Sequence, residues 1–154
     1  KGNSQQRNQT KVDLADVIAD VAMQQSSNNP VVSINTDAKE YWIFAEKAKL
    51  TAILGHLVQN AQEATDDSGS VLIDVTKLEN EVVIKIIDTG CGMSEKFIHQ
   101  RLFKPFDTTK GNAGMGIGVY EAQEYILQQK GSIDVSSKEG EGTVFTLLFP
   151  VVSN

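Results

Sequence analysis

A carboxylate next to two glycines is the clearest candidate for chemistry in this sequence. Asp88 opens the stretch DTGCGM and follows the extended, mostly apolar run Ile84–Ile87, which is typical of a strand that ends at a turn. Gly90 and Gly92 permit backbone conformations closed to other residues and let a ligand approach the main chain. A carboxylate held there is well suited to accept a hydrogen bond from a flat ligand. Because Asp-Thr-Gly is also ordinary turn sequence, the assignment depends on what surrounds it.

A polar stripe on a predicted helix is the second candidate. From about residue 46 to residue 65, apolar residues recur at helical spacing and form a broad face, as in a helix packed on a core. Within HLVQNAQEAT, His56, Asn60 and Glu63 stand at i, i+4 and i+7, so they share one side of this helix. Such a stripe by itself is typical of a solvated helix face.

A glycine-rich segment, GMGIG at Gly114–Gly118, leads into another predicted helix. Exposed N–H groups at a helix start form a natural phosphate site. The segment is not a dinucleotide fingerprint, because Val119 occupies the place of the third glycine, and no Gly-Lys-Ser or Gly-Lys-Thr follows to make a P-loop. The protein kinase signature set is also absent. The preceding residues, which include LFKPFDTTK, have no clear period and are typical of a functional loop or lid.

The elements that must position these residues are predicted from hydrophobic period and turn sequences. They are helices over Lys11–Gln25, over residues 46–65 and from about Gly116 to Lys130, a short helix over Ser94–Arg101, and strands over Val31–Asn35, Val71–Val75, Val82–Ile87, Ile133–Ser136 and Thr143–Val151. We expect Thr36 and Asp37 to lead directly into the helix that carries Asn60. Val82–Ile87 is expected to be the central strand.

Length and composition favour a single domain. A chain of 154 residues can bury roughly 70% of its unfolded surface in a two-layer core. Cys91 is the only cysteine and the two histidines lack metal-ligand spacing, which fits a reducing, cytoplasmic compartment. The formal charge of −6 argues against nucleic acid as a partner.

The ends of the chain indicate a piece of a longer protein. No apolar run approaches the ~20 residues needed to cross a bilayer, and the start, KGNSQQRNQT, has no signal-peptide core. We expect residues 1–10 to be a linker remnant and residues 11–154 to form one domain. Whether the full-length protein is anchored in the inner membrane stays open.

Four of these segments occur in an order and at a spacing that match a known set of sequence boxes. The Asn on a helix, the DTGCGM turn, the LFKPFDTTK segment and the GMGIG helix start resemble, in order and approximate spacing, the N box, first glycine box, F box and second glycine box of sensor histidine kinases. These boxes belong to the catalytic, ATP-binding domain, a branch of the GHKL superfamily that also holds gyrase. The resemblance covers about residues 11–151. HLVQNAQEAT and GIGVYEAQEYI are most similar to sensor kinases of bacterial exopolysaccharide and PEP-CTERM systems.

The resemblance implies a fold and a set of roles. The fold is an α/β (α+β) two-layer sandwich with a mixed, mostly antiparallel sheet and helices on one face, the Bergerat ATP-binding fold. Asp88 would accept a hydrogen bond from the adenine amino group of ATP, and Asn60 would be the side-chain ligand of the Mg²⁺ that bridges the phosphates, in keeping with the preference of Mg²⁺ for oxygen. The other implied site residues are Gly90 and Gly92 at the base, Gly114, Met115, Gly116, Ile117 and Gly118 at the phosphates, Phe103 and Phe106 as anchors of the lid, and Thr108, Thr109 and Lys110 along it.

Two residues depart from the commonest pattern of the family. His56 stands where many histidine kinases have Asn and where the hydrolytic relatives have a catalytic Glu. Imidazole is a poor ligand for Mg²⁺ but accepts a proton from water or binds a phosphate, so we expect a positioning or packing role in preference to a base. Glu63 stands where several members have a Lys that reaches a phosphate, and other members also carry Glu.

The function implied is that of a kinase catalytic half. It would bind Mg-ATP and supply the γ-phosphoryl group to a histidine on a separate helical dimerisation domain, with a response regulator downstream. Neither His56 nor His99 is followed by Asp or Glu, so the acceptor is expected to be absent and the isolated chain monomeric and unable to phosphorylate itself. Three alternatives stay open: a GHKL switch ATPase, an anti-sigma-type protein serine kinase, and a nucleotide sensor without catalysis.

Overall fold

The computed structural model describes residues 9–37, 39–104 and 113–152, with only the main chain described for residues 113–118. The chain forms strands β1 (Thr10–Asp13), β2 (Val32–Thr36), β3 (Trp42–Ala45), β4 (Val71–Leu78), β5 (Glu81–Asp88), β6 (Ser132–Lys138) and β7 (Gly142–Pro150). The helices are α1 (Leu14–Gln24), α2 (Lys47–Glu63), the single turn α3 (Glu95–Phe97) and α4 (Ala113–Gln128), and a π-helical turn covers Ile98–Leu102.

In the described part of the chain, five strands form the main sheet in the order β2-β4-β5-β7-β6. Only the β2–β4 pairing is parallel, and the other three are antiparallel. The predicted mixed, mostly antiparallel sheet with β5 at its centre is therefore confirmed. The register places Val71, Asp88, Thr143 and Ser137 in one row at the end of the sheet.

The core lies between one face of this sheet and the helices, as the predicted two-layer sandwich requires. Alternate residues of β5 and β7 point to the helices and are buried, whereas Lys85 on the other face is exposed. Helix α2 packs against both α1 and α4. The largest fully buried side chains include Leu14, Leu54, Leu57, Ile84, Ile86, Ile126, Leu147 and Phe149.

Helix α2 is also tied to its neighbours through polar groups. Its N-cap residue, Glu46, donates its N–H to the hydroxyl of Tyr125 on α4 at 3.0 Å. At the other end of the helix, Gln62 is 3% exposed and donates from Nε2 to the carbonyl oxygens of Pro30 at 2.9 Å and Gln25 at 3.2 Å. These contacts fix the rotation and height of α2 above the sheet, and hence the direction in which its polar residues point.

Two sequence-based predictions were wrong at the N-terminal side. The helix expected from Lys11 begins only at Leu14, because Thr10–Asp13 form β1 and Asp13 caps the helix through a 3.0 Å hydrogen bond from the N–H of Ala15. Thr36 and Asp37 do not lead directly into α2, since β3 intervenes. Strand β3 pairs with β1 in a separate two-stranded sheet. Each strand has only four residues, which is too short for a clear alternation of apolar and polar side chains in the sequence.

The described part of the chain contains no helix that is long and apolar enough to span a bilayer.

Candidate nucleotide-binding site

Asp88 ends β5 as a buried carboxylate. The residue is 7% exposed, and its Oδ1 accepts a hydrogen bond from the N–H of Gly90 at 2.8 Å. Burial raises the pKa of this carboxyl above its ordinary value of 3.8, while the N–H groups of Gly90 and Thr143 act in the opposite direction. No charged side chain of the described residues contributes to this shift. Asp88 is thus an acceptor with little water around it, which is where a single hydrogen bond to a ligand discriminates best.

The two glycines after Asp88 let the loop pack closely on other elements. A Cβ on Gly90 would lie 2.4 Å from the carbonyl oxygen of Ala64, the C-cap of α2. Gly92 has φ +72°, and its Cβ would lie 2.1 Å from the carbonyl oxygen of Lys138. Backbone contact with α2 and β6 therefore accounts for both glycines. Their expected role in admitting a base stays a prediction.

Cys91 holds this loop in place through its main chain. Its N–H donates to the carbonyl oxygen of Ala64 at 3.0 Å, and its own carbonyl oxygen accepts from the N–H of Gly140 at 2.8 Å. The loop is thereby clamped between the end of α2 and the β6–β7 hairpin. The thiol itself is exposed.

The polar stripe of α2 divides into one buried and two exposed residues. Asn60 is 7% exposed, and its Nδ2 is buried without a hydrogen-bond partner among the described residues. Both His56 and Glu63 are exposed, and Glu63 accepts from Gln59 at 3.2 Å. Buried amides are nearly always paired in proteins, so the unpaired Asn60 is typical of a group that meets a ligand. The exposure of His56 argues against packing in the core as its role.

A cavity of about 1020 Å³ opens beside Asp88. The loop after β5, the start of α3 and the β6–β7 hairpin line it, and its lining includes Met93 and Thr143 as well as Asp88. Ile87 and Val144, from the opposite face of the sheet, also contribute. The space lies at the end of the sheet and is large enough for a ligand of nucleotide size. Its lining includes no residue of α2 and no described residue of α4, so it reaches Asp88 but not Asn60.

Residues of the second glycine box lie inside α4. The helix begins at Ala113, three residues before the start that the sequence predicted. The first N–H groups of a helix have no partner within it, and in this helix those of Ala113, Gly114 and Met115 belong to that set, whereas Gly116 begins the intrahelical hydrogen bonds. Those of Ile117 and Gly118 belong to the second turn.

The predicted lid lies mostly beyond what the structure describes. Phe106, Thr108, Thr109 and Lys110 fall outside the described residues, and their assignments stay predictions. Phe103 is half-buried and packs against the core, and its expected role in anchoring the lid stays a prediction. Ser94 caps α3 by accepting from the N–H of Phe97 at 3.0 Å.

Sequence reasoning missed two hydroxyl groups beside Asp88. Thr143 is 6% exposed and is the direct cross-strand partner of Asp88. Ser137 pairs with Thr143 from the other side, and their hydroxyl oxygens are 2.7 Å apart. Only the strand register brings these residues to Asp88, because they lie some fifty residues further along the chain. The one local feature that could have pointed to Thr143 is the turn sequence EGEG, because a strand that follows it begins at the end of the sheet.

We predict that Asp88→Asn makes the ligand-free protein more stable at neutral pH. Because the pKa of Asp88 is raised on folding, the contribution of this residue to the free energy of unfolding is greatest below its unfolded pKa, about 3.9, and falls as pH rises through the folded value. The Asn variant retains an acceptor for Gly90 and loses this pH dependence. Urea unfolding at several pH values between about 4 and 7 should show a stability difference that grows with pH. A constant difference across this range would contradict the prediction.

Comparison with known proteins agrees with this geometry. The family described as histidine kinase-, DNA gyrase B-, and HSP90-like ATPase matches residues 45–153. Sporulation kinase E of Bacillus subtilis is 35% identical over 113 residues, which are 73% of this chain and 15% of that protein. The chain spans between 15% and 28% of the length of the curated relatives it matches.

Solved structures of histidine kinases share the fold. The catalytic domain of ThkA superposes with a TM-score of 0.78 at 25% identity, over 92% of this chain and 95% of that one. Full-length ShkA in complex with AMPPNP superposes with a TM-score of 0.78 at 21% identity, over 95% of this chain and 32% of that one. ThkA in complex with the response regulator TrrA gives a TM-score of 0.75 at 22% identity, over 94% and 42% of the two chains.

The family match covers more than half of the chain, and the order of its boxes, its sheet topology and its buried Asp88 agree with that match. The chain therefore belongs to the histidine kinase-, DNA gyrase B- and HSP90-like ATPase family, as an ATP-binding catalytic domain of the sensor histidine kinase type.

Proposed function

We propose that this domain binds Mg-ATP and supplies its γ-phosphoryl group to a histidine on a separate helical domain. The observation that carries the nucleotide part is the buried carboxylate of Asp88, whose hydrogen bonds come from the main-chain N–H groups of Gly90 and Thr143 and which has a cavity beside it. An acceptor in such surroundings selects a ligand that presents an N–H donor, as the amino group of adenine does. A ligand with an oxygen at that position would face an unpaired, buried negative charge.

The residues of α2 fit a magnesium ion of the kind that accompanies ATP. Mg²⁺ is usually held by one or two protein oxygens together with phosphates and water, and Asn60 offers one amide oxygen. The described residues contain no group of three or more His, Cys, Asp or Glu side chains that could hold a metal, so a dedicated metal cage does not compete with this assignment. The ion would neutralise charge on the phosphates.

The phosphates would meet the first turn of α4 and the lid. The amides of Gly114 and Met115 in the first turn are suited to anionic oxygens by their direction and by the positive end of the helix dipole, and Gly116 follows directly after them. Ile117 and Gly118 extend this wall, and Phe106, Thr108, Thr109 and Lys110 would complete it from the lid. His56 and Glu63 lie on exposed positions of α2, and we assign them to positioning of the phosphate and its water.

Catalysis by such a site rests on positioning and charge neutralisation, with the nucleophile supplied from outside. Neither described histidine suits the acceptor role, because His56 and His99 are followed by Leu57 and Gln100 and not by a carboxylate. The acceptor would be a histidine on the dimerisation domain of the full-length kinase. A response regulator would then receive the phosphoryl group.

We predict that the chain binds ATP in preference to GTP and that Asp88→Asn weakens ATP binding by roughly 10- to 100-fold. The estimate follows from about 1.5–3 kcal/mol for a hydrogen bond to a charged acceptor. Calorimetric titration with ATP, ADP and GTP provides the measurement. Asp134→Asn, an exposed position of β6, is the matched control and should bind like the wild type. Equal ATP affinity in Asp88→Asn and the wild type would place the base elsewhere.

The same titration with and without Mg²⁺ tests Asn60. We expect Asn60→Leu, which keeps the side-chain volume but removes the oxygen, to abolish the gain in ATP affinity that Mg²⁺ brings. Asn60→Asp retains an oxygen ligand and should preserve a magnesium-dependent gain. If the leucine variant responds to Mg²⁺ as the wild type does, another group holds the ion.

Transfer of labelled γ-phosphate tests the reaction itself. We expect no incorporation into the chain alone, and labelling of a separately expressed helical histidine domain of the same kinase when the two are mixed. Substitution of that histidine by Ala should abolish the label, and Asp88→Asn should reduce it because less ATP is bound. Labelling of the chain alone would contradict the assignment of the acceptor to another domain.

A further inference from the structure

A second concave surface lies between helix α1 and strand β2, at the edge of the main sheet opposite to β6. We call it the edge groove. Ala15, Ile18 and Ala19 of α1 form one side of it, and Ile34 of β2 forms the other. None of the residues that line the edge groove lines the cavity beside Asp88. The edge groove is therefore separate from the candidate nucleotide site.

Strand β2 has one side available for pairing. It pairs with β4 on the other side, and in the described part of the chain no second strand joins it. The outward main-chain groups over residues 32–35 are a template for an added strand. Proteins usually protect such an edge with charged residues, Pro or a bulge, but the segment VVSINT at residues 31–36 contains neither a charged residue nor Pro. Val31 and Ile34 are 66% and 42% exposed, so this edge is both apolar and accessible.

The edge groove has room for one large apolar side chain. Its volume is about 180 Å³, whereas sites for small-molecule ligands begin at roughly 300 Å³ and a cavity of roughly 150 Å³ admits benzene. Ala15 and Ala19 are exposed, so no larger side chain of α1 closes the opening. Because alternate residues of a strand point to the same face of a sheet, a strand added to β2 would direct one side chain into this space.

Carboxylates surround one end of the edge groove, where β2 ends and α1 begins. The two segments meet there because the N–H of Leu14 donates to the carbonyl oxygen of Tyr41 at 2.9 Å. Asp37 accepts a hydrogen bond from the hydroxyl of Tyr41, which lowers the pKa of this carboxyl and keeps it charged. The other charged residues of these segments are Asp13, Asp16, Lys39 and Glu40. Four carboxylates against one cation favour a partner with basic residues at this end.

We propose that the edge groove binds an extended peptide segment of a partner protein, which adds to β2 as an antiparallel strand and inserts one large apolar side chain between β2 and α1. Basic residues N-terminal to this anchor lie beside Asp37, because an antiparallel strand begins where β2 ends. Main-chain hydrogen bonds supply affinity, and the anchor and the charges supply specificity.

A second copy of this chain lacks the anchor that the edge groove requires. The side chains of β2 that point to the helices include Val32 and Ile34. Val32 packs against the core of its own chain, and Ile34 lines its own edge groove. Neither is available to fill the groove of another copy, so a separate peptide is the better occupant.

A designed peptide tests the proposal. The probe is a fluorescently labelled peptide of roughly ten residues in which Thr alternates with Val, with Leu as the central anchor and a pair of Lys at the N-terminal end. Fluorescence anisotropy measures its binding to the chain. Replacement of the Leu by Ala should weaken binding by roughly 10- to 100-fold, since burial of the side chain is lost. Replacement of the Lys pair by Glu should weaken it by about two- to fivefold at low salt, and less as salt rises.

A variant of α1 tests the location. Ala19→Leu fills the edge groove from an exposed position and should weaken binding of the probe by about tenfold or more. Ala48→Leu, the same change at an exposed position of α2, is the matched control and should bind like the wild type. ATP titration of Ala19→Leu should match the wild type, because the two sites share no lining residue. The test therefore does not depend on the proposed function.

Methylation of the probe's amides separates strand addition from simple apolar contact. In an antiparallel pair only alternate residues direct their N–H groups to the neighbouring strand. Methylation of one alternate set should abolish binding, and methylation of the other should leave it unchanged. An equal effect of both sets, full affinity in Ala19→Leu, or no binding of the probe at about 1 mM would overturn the proposal. Dimerisation of the chain alone in analytical ultracentrifugation, abolished by Ala19→Leu, would overturn it in favour of a second copy.

Discussion

The site depends on the burial of the Asp88 carboxylate at the end of the central strand, which is energetically unfavourable. A buried carboxylate with few partners raises its own pKa and reduces the stability of the protein that contains it. The fold tolerates this because the N–H groups of Gly90 and Thr143 partly compensate for the lost water. The same low hydration makes the carboxylate selective, since in water a single acceptor would discriminate poorly between donors.

The surrounding architecture serves to keep that carboxylate in place. Gly90 lets the loop after β5 touch the end of α2, and Gly92 lets it touch β6, at separations that a side chain would forbid. The carbonyl oxygens of Ala64 and Cys91 complete the clamp by accepting N–H groups of the loop and of the hairpin. Asn60 lies on α2, whose end is held by this loop, so the metal-binding and base-binding candidates are joined through the main chain.

Sequence reasoning was most successful where chemistry and local pattern coincide. The helix that carries Asn60, the hairpin that ends at Asp88 and the order of the four boxes were all predictable, because each has a clear period or turn sequence. Two predictions failed for the same reason: the helix was expected to begin at Lys11, and strand β3 was not predicted. The ribbon of Thr10–Asp13 with Trp42–Ala45 is formed by two four-residue segments whose strand character comes from their pairing.

By itself the sequence determined the family, the central strand and the residue types available for chemistry. Those features depend on local spacing and on glycines whose conformational freedom is intrinsic. Only the tertiary structure decided which polar residues are buried: Asn60 is enclosed, whereas His56 and Glu63 on the same helix are exposed. It also brought Thr143 and Ser137 to Asp88, because strand register is a property of the folded sheet, and residues far apart in the chain become neighbours only when that register is set.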